Sequence, residues 1–269
     1  MPDDTTEVPP LLRLRGVSKS FGPVQALTGV DLDVPGGAVT ALAGDNGAGK
    51  STLIKCIAGI HAPDQGEMFW EGVRVHLHTP ADAAALGIQT VYQDLALCDN
   101  LDIVQNMFLG RERVRRGQLD DVSMEQAAAA TLTDLAVTTV RSVRQQVASL
   151  SGGQRQSVAI AKAVLWESKL VVMDEPTAAL GVAQTRMVLD LVRTLARRGH
   201  AVLLISHNLV DVMAVSDQVA VMRHGRVVDV RPRDRIDERI LVDLMTTGTS
   251  DREVSANARG TDLEGRVVP

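Results

Sequence analysis

Gly44-Asp45-Asn46-Gly47-Ala48-Gly49-Lys50-Ser51 fits the pattern GxxxxGK(S/T) at every fixed position. The apolar stretch Ala38–Ala43 runs into it as a predicted strand. Ser51–Ala58 continues from it as a predicted helix, with Gly59 placed to stop it. Between a strand and a helix, glycines let successive main-chain N–H groups point inward around phosphate oxygens. The following helix aims the positive end of its dipole at the same anion. In this arrangement Lys50 reaches the β- and γ-phosphates and the Ser51 hydroxyl holds Mg²⁺. A mere glycine-rich turn is the competing account, and the flanking strand and helix argue against it. Gly44, Asp45, Asn46, Gly47, Ala48, Gly49, Lys50, Ser51 and the adjoining Thr52 are therefore the candidates for binding a nucleoside triphosphate.

Outward from this turn, the chain alternates short β-rich runs with longer helical patterns. Leu170–Met173 and Ala201–Ile205 are continuous apolar runs, as expected of strands covered on both faces. Val219–Met222 and Arg226–Val230, separated by Gly225, predict a late hairpin. Leu12–Leu14 and Val30–Leu32, with Gly22 and Gly29 between them, predict an antiparallel region before the first turn. Residues 94–168 break the alternation with helical patterns at Leu101–Phe108, Met124–Val137 and Ser151–Trp166. The expected fold is thus α/β: a P-loop NTPase core with a mostly parallel sheet, an N-terminal antiparallel β region and an inserted helical subdomain. One domain is expected over 11–247, with flexible tails at 1–10 and 248–269 and no internal repeat.

Composition narrows the partners. Of the 269 residues 45% are hydrophobic and 23% charged, which excludes a mostly disordered chain. Only 2% are aromatic, so aliphatic side chains must fill the core. A net charge of −5 without a basic block is a poor match to nucleic acid or to anionic lipid. No apolar stretch approaches the ~20 residues of a membrane span. The start, Met1-Pro2-Asp3-Asp4, lacks the features of a signal peptide. Cys56 and Cys98 form neither a disulfide framework nor a CxxC motif, and Cys56 is expected in a packed core. A soluble cytosolic protein is the expectation.

Two further segments bear on what is done with the triphosphate. Leu170–Met173 ends in Asp174-Glu175, and where a strand turns both carboxylates can face one site. Asp174 suits the metal or a metal-bound water, and Glu175 suits the polariser of an attacking water. A solvated acidic turn is the alternative. Leu150-Ser151-Gly152-Gly153-Gln154 has the form of a capping box, Ser151 to Gln154, opening a helix. In itself it reads either as an ordinary capped helix or as a second anion site.

The ordered set Gly44–Ser51, Gln93, Leu150–Gln154, Asp174-Glu175 and His207 resembles the ATP-binding cassette family, the motor subunits of ABC transporters. The resemblance spans roughly Leu12 to Val230. It implies that Phe21 stacks on adenine and that Gln93 links the metal site, with Ser51 and Asp174, to the helical subdomain. It implies that His207 contacts the γ-phosphate and positions the water. It further implies head-to-tail dimers, in which Ser151, Gly152, Gly153 and Gln154 of one subunit grip ATP held by the other. The phrases Gly44-Asp45-Asn46-Gly47, Val91-Tyr92-Gln93-Asp94, Asn106-Met107-Phe108-Leu109-Gly110-Arg111-Glu112 and Glu175-Pro176-Thr177-Ala178-Ala179-Leu180 most resemble cassettes of bacterial sugar importers.

On that resemblance the chain is an ATPase using ATP and Mg²⁺, held at the cytoplasmic face of the cell membrane by transmembrane permease subunits. An extracytoplasmic solute-binding protein is an indirect partner, a second cassette (itself or a paralogue) a direct one, and nucleic acid is not a partner. A soluble cassette acting as a regulatory or mechanical switch, or the cassette of an exporter, are the alternatives. One departure stands out: Gly181 occupies the place where many cassettes carry an Asp thought to connect the two ATP sites.

The remaining features draw blander expectations. His61, His76, His78, His200 and His224 read as surface histidines, His76-x-His78 lacking a third metal ligand. The run Arg111-Glu112-Arg113-Val114-Arg115-Arg116 reads as a solvated face. Leu97, Leu101, Ile103, Val104, Met107 and Phe108 either close the helical subdomain's own core or, by the resemblance, receive a helix of the membrane subunit.

Overall fold

The computed structural model describes residues 9–249, so the tails expected at 1–10 and 248–269 lie outside the described residues apart from four positions. Strands β1 (Leu12–Phe21) and β2 (Val24–Val34) open the chain, followed by β3 (Val39–Ala43) and helix α1 (Lys50–Ile57). Next come β4 (Gln65–Trp70), β5 (Val73–Val75), α2 (Pro80–Ala85) and β6 (Ile88–Val91). The insertion holds α3 (Ile103–Phe108), β7 (Val114–Arg115), β8 (Gln118–Leu119), α4 (Asp121–Asp134) and α5 (Gly152–Val164). The chain then returns through β9 (Leu170–Asp174), α6 (Val182–Arg197), β10 (Ala201–Ile205) and α7 (Leu209–Val215). It closes with β11 (Gln218–Arg223), β12 (Arg226–Pro232) and α8 (Glu238–Thr247).

Six strands make the central sheet in the order β12-β11-β3-β10-β9-β6, parallel throughout except for β12. Alternation along its strands divides the core. Val171, Met173, Val202 and Leu204 face α5 and α6, whereas Leu170, Val172, Leu203 and Ile205 face α1 and the antiparallel sheet. Burial on both faces is why these strands read as unbroken apolar runs. The antiparallel sheet runs β2-β1-β4-β5. Its pairs Leu12 with Val34, Leu14 with Leu32 and Val17 with Val30 are all buried, which fixes the register, since a one-residue slip would expose them. The β1–β2 region is longer than expected, and β4 and β5 extend it.

The inserted subdomain builds its own core from Ile103, Val104, Met107 and Phe108 on α3, with Met124, Ala128 and Leu132 on α4. Those α3 residues are spent on internal packing. Buried Asn106 accepts from Cys98 N at 2.7 Å and donates to the carbonyls of Cys98 and Asp102 at 3.0 and 2.9 Å, anchoring the loop that follows Gln93. The subdomain is not purely helical, because β7 and β8 form a small hairpin. The Arg111–Arg116 run is exposed, but it is not only solvated. Arg111 lies over the Trp166 ring at 5.0 Å and Arg113 over Phe108 at 5.3 Å, and the two rings meet edge-on. Cys56 is buried as expected, and burial pushes its thiol up to about 11. His76 and His78 stack on each other, and no three metal-ligating side chains cluster among the described residues.

Candidate functional site

β3 delivers the chain into the glycine-rich turn, and Gly49 starts α1 with a left-handed φ of +105°. The turn is pressed against two other strands. A Cβ on Gly44 would stand 2.3 Å from the Met222 carbonyl of β11, and one on Gly49 would stand 2.7 Å from the Ala26 carbonyl of β2. Both glycines therefore leave room for main chain and a cradle of main-chain N–H groups. Lys50 is almost fully buried, and its Nζ spans the turn to donate to Gly44 O at 2.6 Å and Asp45 O at 3.0 Å. Burial lowers its pKa, against the opposing pull of Glu175, Asp174 and Asp45. Ser51 is exposed beside it and Thr52 half-buried.

The acidic pair comes from the end of β9. Burial and the neighbouring Glu175 raise the Asp174 pKa, with Lys50 and Lys55 pulling it down. In a continuing strand Glu175 would face away from Asp174. Instead it has a φ of +51°, its N–H donates to Ile205 O at 3.0 Å, and both carboxylates line one cleft. His207, which follows β10 after buried Ser206, sets its Nδ1 2.8 Å from Glu175 Oε1. Asn208 caps α7 through its side-chain oxygen, and Thr177 donates to buried Asp211 at 2.6 Å. These bonds hold the turns after β9 and β10 together, so the Glu175–His207 contact is supported from behind.

The cleft has a volume of about 480 Å³ and is lined by Asn46 to Thr52, Gln93, Asp174 and Glu175 at one end. Ser51, Gln93 and Asp174, the expected metal-side residues, thus share one cleft. A hydroxyl, an amide oxygen and a carboxylate suit a hard cation such as Mg²⁺. Its other end is formed by Val24, Gln25, Ala26, His224 and Gly225, none of which was foreseen. His224 is exposed, as expected, and also forms a wall of the cleft. Its only sequence signal was the neighbouring Gly225 turn, which does not say what the turn packs against.

Gly44, Asp45 and His207 bond to lining residues without lining the cleft themselves, and two further sets of expected residues stand apart from it. The Phe21 ring lies edge-on to His61 at 5.1 Å with Lys19 Nζ 5.7 Å from its centroid, and is 43% exposed; its β-partner Val24 lines the cleft. Ser151 caps α5, Gln154 N donating to its Oγ at 3.4 Å and Ser151 N donating to Gln154 Oε1 at 2.9 Å. Gln154 also donates to Thr139 O at 2.6 Å, so its amide is tied to the subdomain. Gly153 packs on α6, where a Cβ would meet Met187 Cε at 2.8 Å. The capping box is formed, and it lies outside the lining of the cleft that holds Lys50.

Comparison with known proteins places this geometry. The family model described as ABC transporter matches residues 27–178. The chain is 44% identical to the xylose/arabinose import ATP-binding protein of Sulfolobus acidocaldarius, over 88% of this chain and 94% of that protein. It is 46% identical to the fructose import ATP-binding protein of Rhizobium meliloti, over 84% and 90% of the two chains. A solved ATP-binding cassette of an ABC transporter superposes with a TM-score of 0.76 at 29% identity, covering 87% of this chain and 96% of that one. This chain belongs to the ABC transporter family and has the fold of its ATP-binding cassettes.

Proposed function

We propose that this chain is the ATP-hydrolysing motor of an importer for a monosaccharide. The observation that carries the hydrolytic part is the Glu175–His207 contact of 2.8 Å at the phosphate end of the cleft, beside Asp174 and opposite Lys50. The sugar rests on the named functions of the xylose/arabinose and fructose relatives.

In this function the main-chain N–H groups of Gly44–Gly49 and the dipole of α1 take the phosphate oxygens, and Lys50 bridges the β- and γ-phosphates. Ser51, Gln93 and Asp174 would hold Mg²⁺, which neutralises charge on the phosphate oxygens when bound. Glu175 accepts a proton from the attacking water, and its oxygen is oriented by His207. Ser151 and the opening N–H groups of α5 face a second cassette, a copy of this chain or a paralogue, and reach that subunit's γ-phosphate from the far side. Closure of two cassettes on ATP and their reopening after hydrolysis would drive a separate permease, with a solute-binding protein delivering the sugar outside. Among the described residues no helix is long and apolar enough to cross a membrane. In this function the chain is held at the cytoplasmic face by that permease.

Glu175→Gln tests this. The variant should bind ATP, hydrolyse it about 10²- to 10⁴-fold more slowly, accumulate as an ATP-bound dimer on gel filtration, and recover a multi-span permease from detergent-solubilised native membranes. Wild-type turnover in the variant would remove Glu175 from its role, and recovery of soluble proteins alone would remove the importer.

A further inference from the structure

The cleft has two ends, and only one is accounted for by phosphate chemistry. With the triphosphate against Lys50 and Ser51, the nucleoside must lie toward Val24–Ala26 and the turn His224–Gly225. That turn is fixed to the phosphate loop by main chain. Gly225 N donates to Ala48 O at 2.8 Å, and Thr28 N donates to Gly225 O at 2.8 Å. A Cβ on Gly225 would stand 2.7 Å from Ala26 O, so the turn also sits tightly on β2.

His224 holds a φ of +45°, a conformation in which glycine or asparagine costs less. Its imidazole is exposed, and no hydrogen bond, ion pair or ring contact engages it among the described residues. An exposed imidazole at the wall of the cleft with no partner in the fold is available to a ligand held there. The link to Ala48 puts the turn one step beyond the phosphates, where the sugar of a nucleotide follows. Phe21, by contrast, has its ring against His61.

We propose that the His224 imidazole hydrogen-bonds the ribose hydroxyls of the bound nucleotide and so selects ribonucleotides. The inference rests on ATP occupying this cleft, as the motor function requires. The test compares ATP, 2′,3′-dideoxy-ATP and inorganic triphosphate as ligands of the full chain and of His224→Gly, which keeps the left-handed turn. Wild type should bind ATP about fivefold to tenfold more tightly than the dideoxy nucleotide, the range of one or two net hydrogen bonds. In His224→Gly the two nucleotides should bind within about twofold of each other, with the affinity for inorganic triphosphate unchanged. An unchanged preference in the variant would overturn the proposal. So would equal losses for all three ligands, which would make the turn a mere prop of the phosphate loop. Failure of wild type to bind ATP or triphosphate at all would overturn the ATPase function beneath it as well.

Discussion

At Gly49 the main chain carries a φ of +105° while the Ala26 carbonyl closes the space a side chain would fill. Gly49→Ala therefore faces two costs at once, one conformational and one steric, and the neighbour is main chain that cannot swing away. The expected outcome is a stability loss of about 1–3 kcal/mol together with at least a tenfold loss in ATP affinity. Thermal melts and nucleotide titration read the two separately. Residues of this kind were legible in the sequence because their spacing is local: Gly44, Gly49, Lys50 and Ser51 lie within eight positions and shape one turn. Asp174 and Glu175 were legible for the same reason, at the end of one apolar run. His224 was not, since what makes it part of the cleft is a hydrogen bond between Gly225 and Ala48.

On the proposed function, helix α5 serves two purposes with one end. Ser151 and Gln154 cap each other, and the glycines between them leave room for α6. Ser151→Ala should cost about 1 kcal/mol, seen as a lower urea midpoint with an unchanged denaturant slope. Ser151→Asp separates the two purposes. Aspartate caps as well as serine, so stability should stay near wild type, while its charge opposes a phosphate and ATPase activity should fall at least tenfold. Equal activity in the aspartate variant would leave α5 with a purely structural end. At this scale the capping box was readable as a helix start, because caps follow sequence pattern. The hairpin β7–β8 was not, as its two-residue strands are too short to show alternation. The arginines around it gave a charge pattern that hid their stacking on Phe108 and Trp166.

The whole molecule joins an antiparallel sheet to a parallel one, and the ion pairs of Asp33 help hold the first together. Burial alone would raise the Asp33 carboxyl, but hydrogen bonds from Arg15 and Arg13 outweigh it and hold its pKa below the ordinary value. A lowered folded pKa stabilises above the unfolded value of about 4. The contribution fades as pH falls through the lower folded value. Asp33→Asn should thus be less stable than wild type at neutral pH, with the gap narrowing as pH drops below about 4. The effect is modest because the pair is partly exposed. Urea unfolding at several pH values measures it, and a gap that widens toward acid would refute it. The parallel sheet's membership was legible in its apolar runs, but its strand order was not, because order is set by which strands meet after crossovers. That order carries a consequence for how the protein is made. β3, which leads into the glycine-rich turn, pairs with β10 and β11, both far downstream of it. On the ribosome, the turn at Gly44–Ser51 emerges well before β10 and β11, its neighbours in the sheet, exist. A chain halted before His224 would contain the glycine-rich turn, Asp174 and Glu175 and still lack a wall of the cleft. Synthesis thus withholds a complete cleft until the β11–β12 hairpin has been translated.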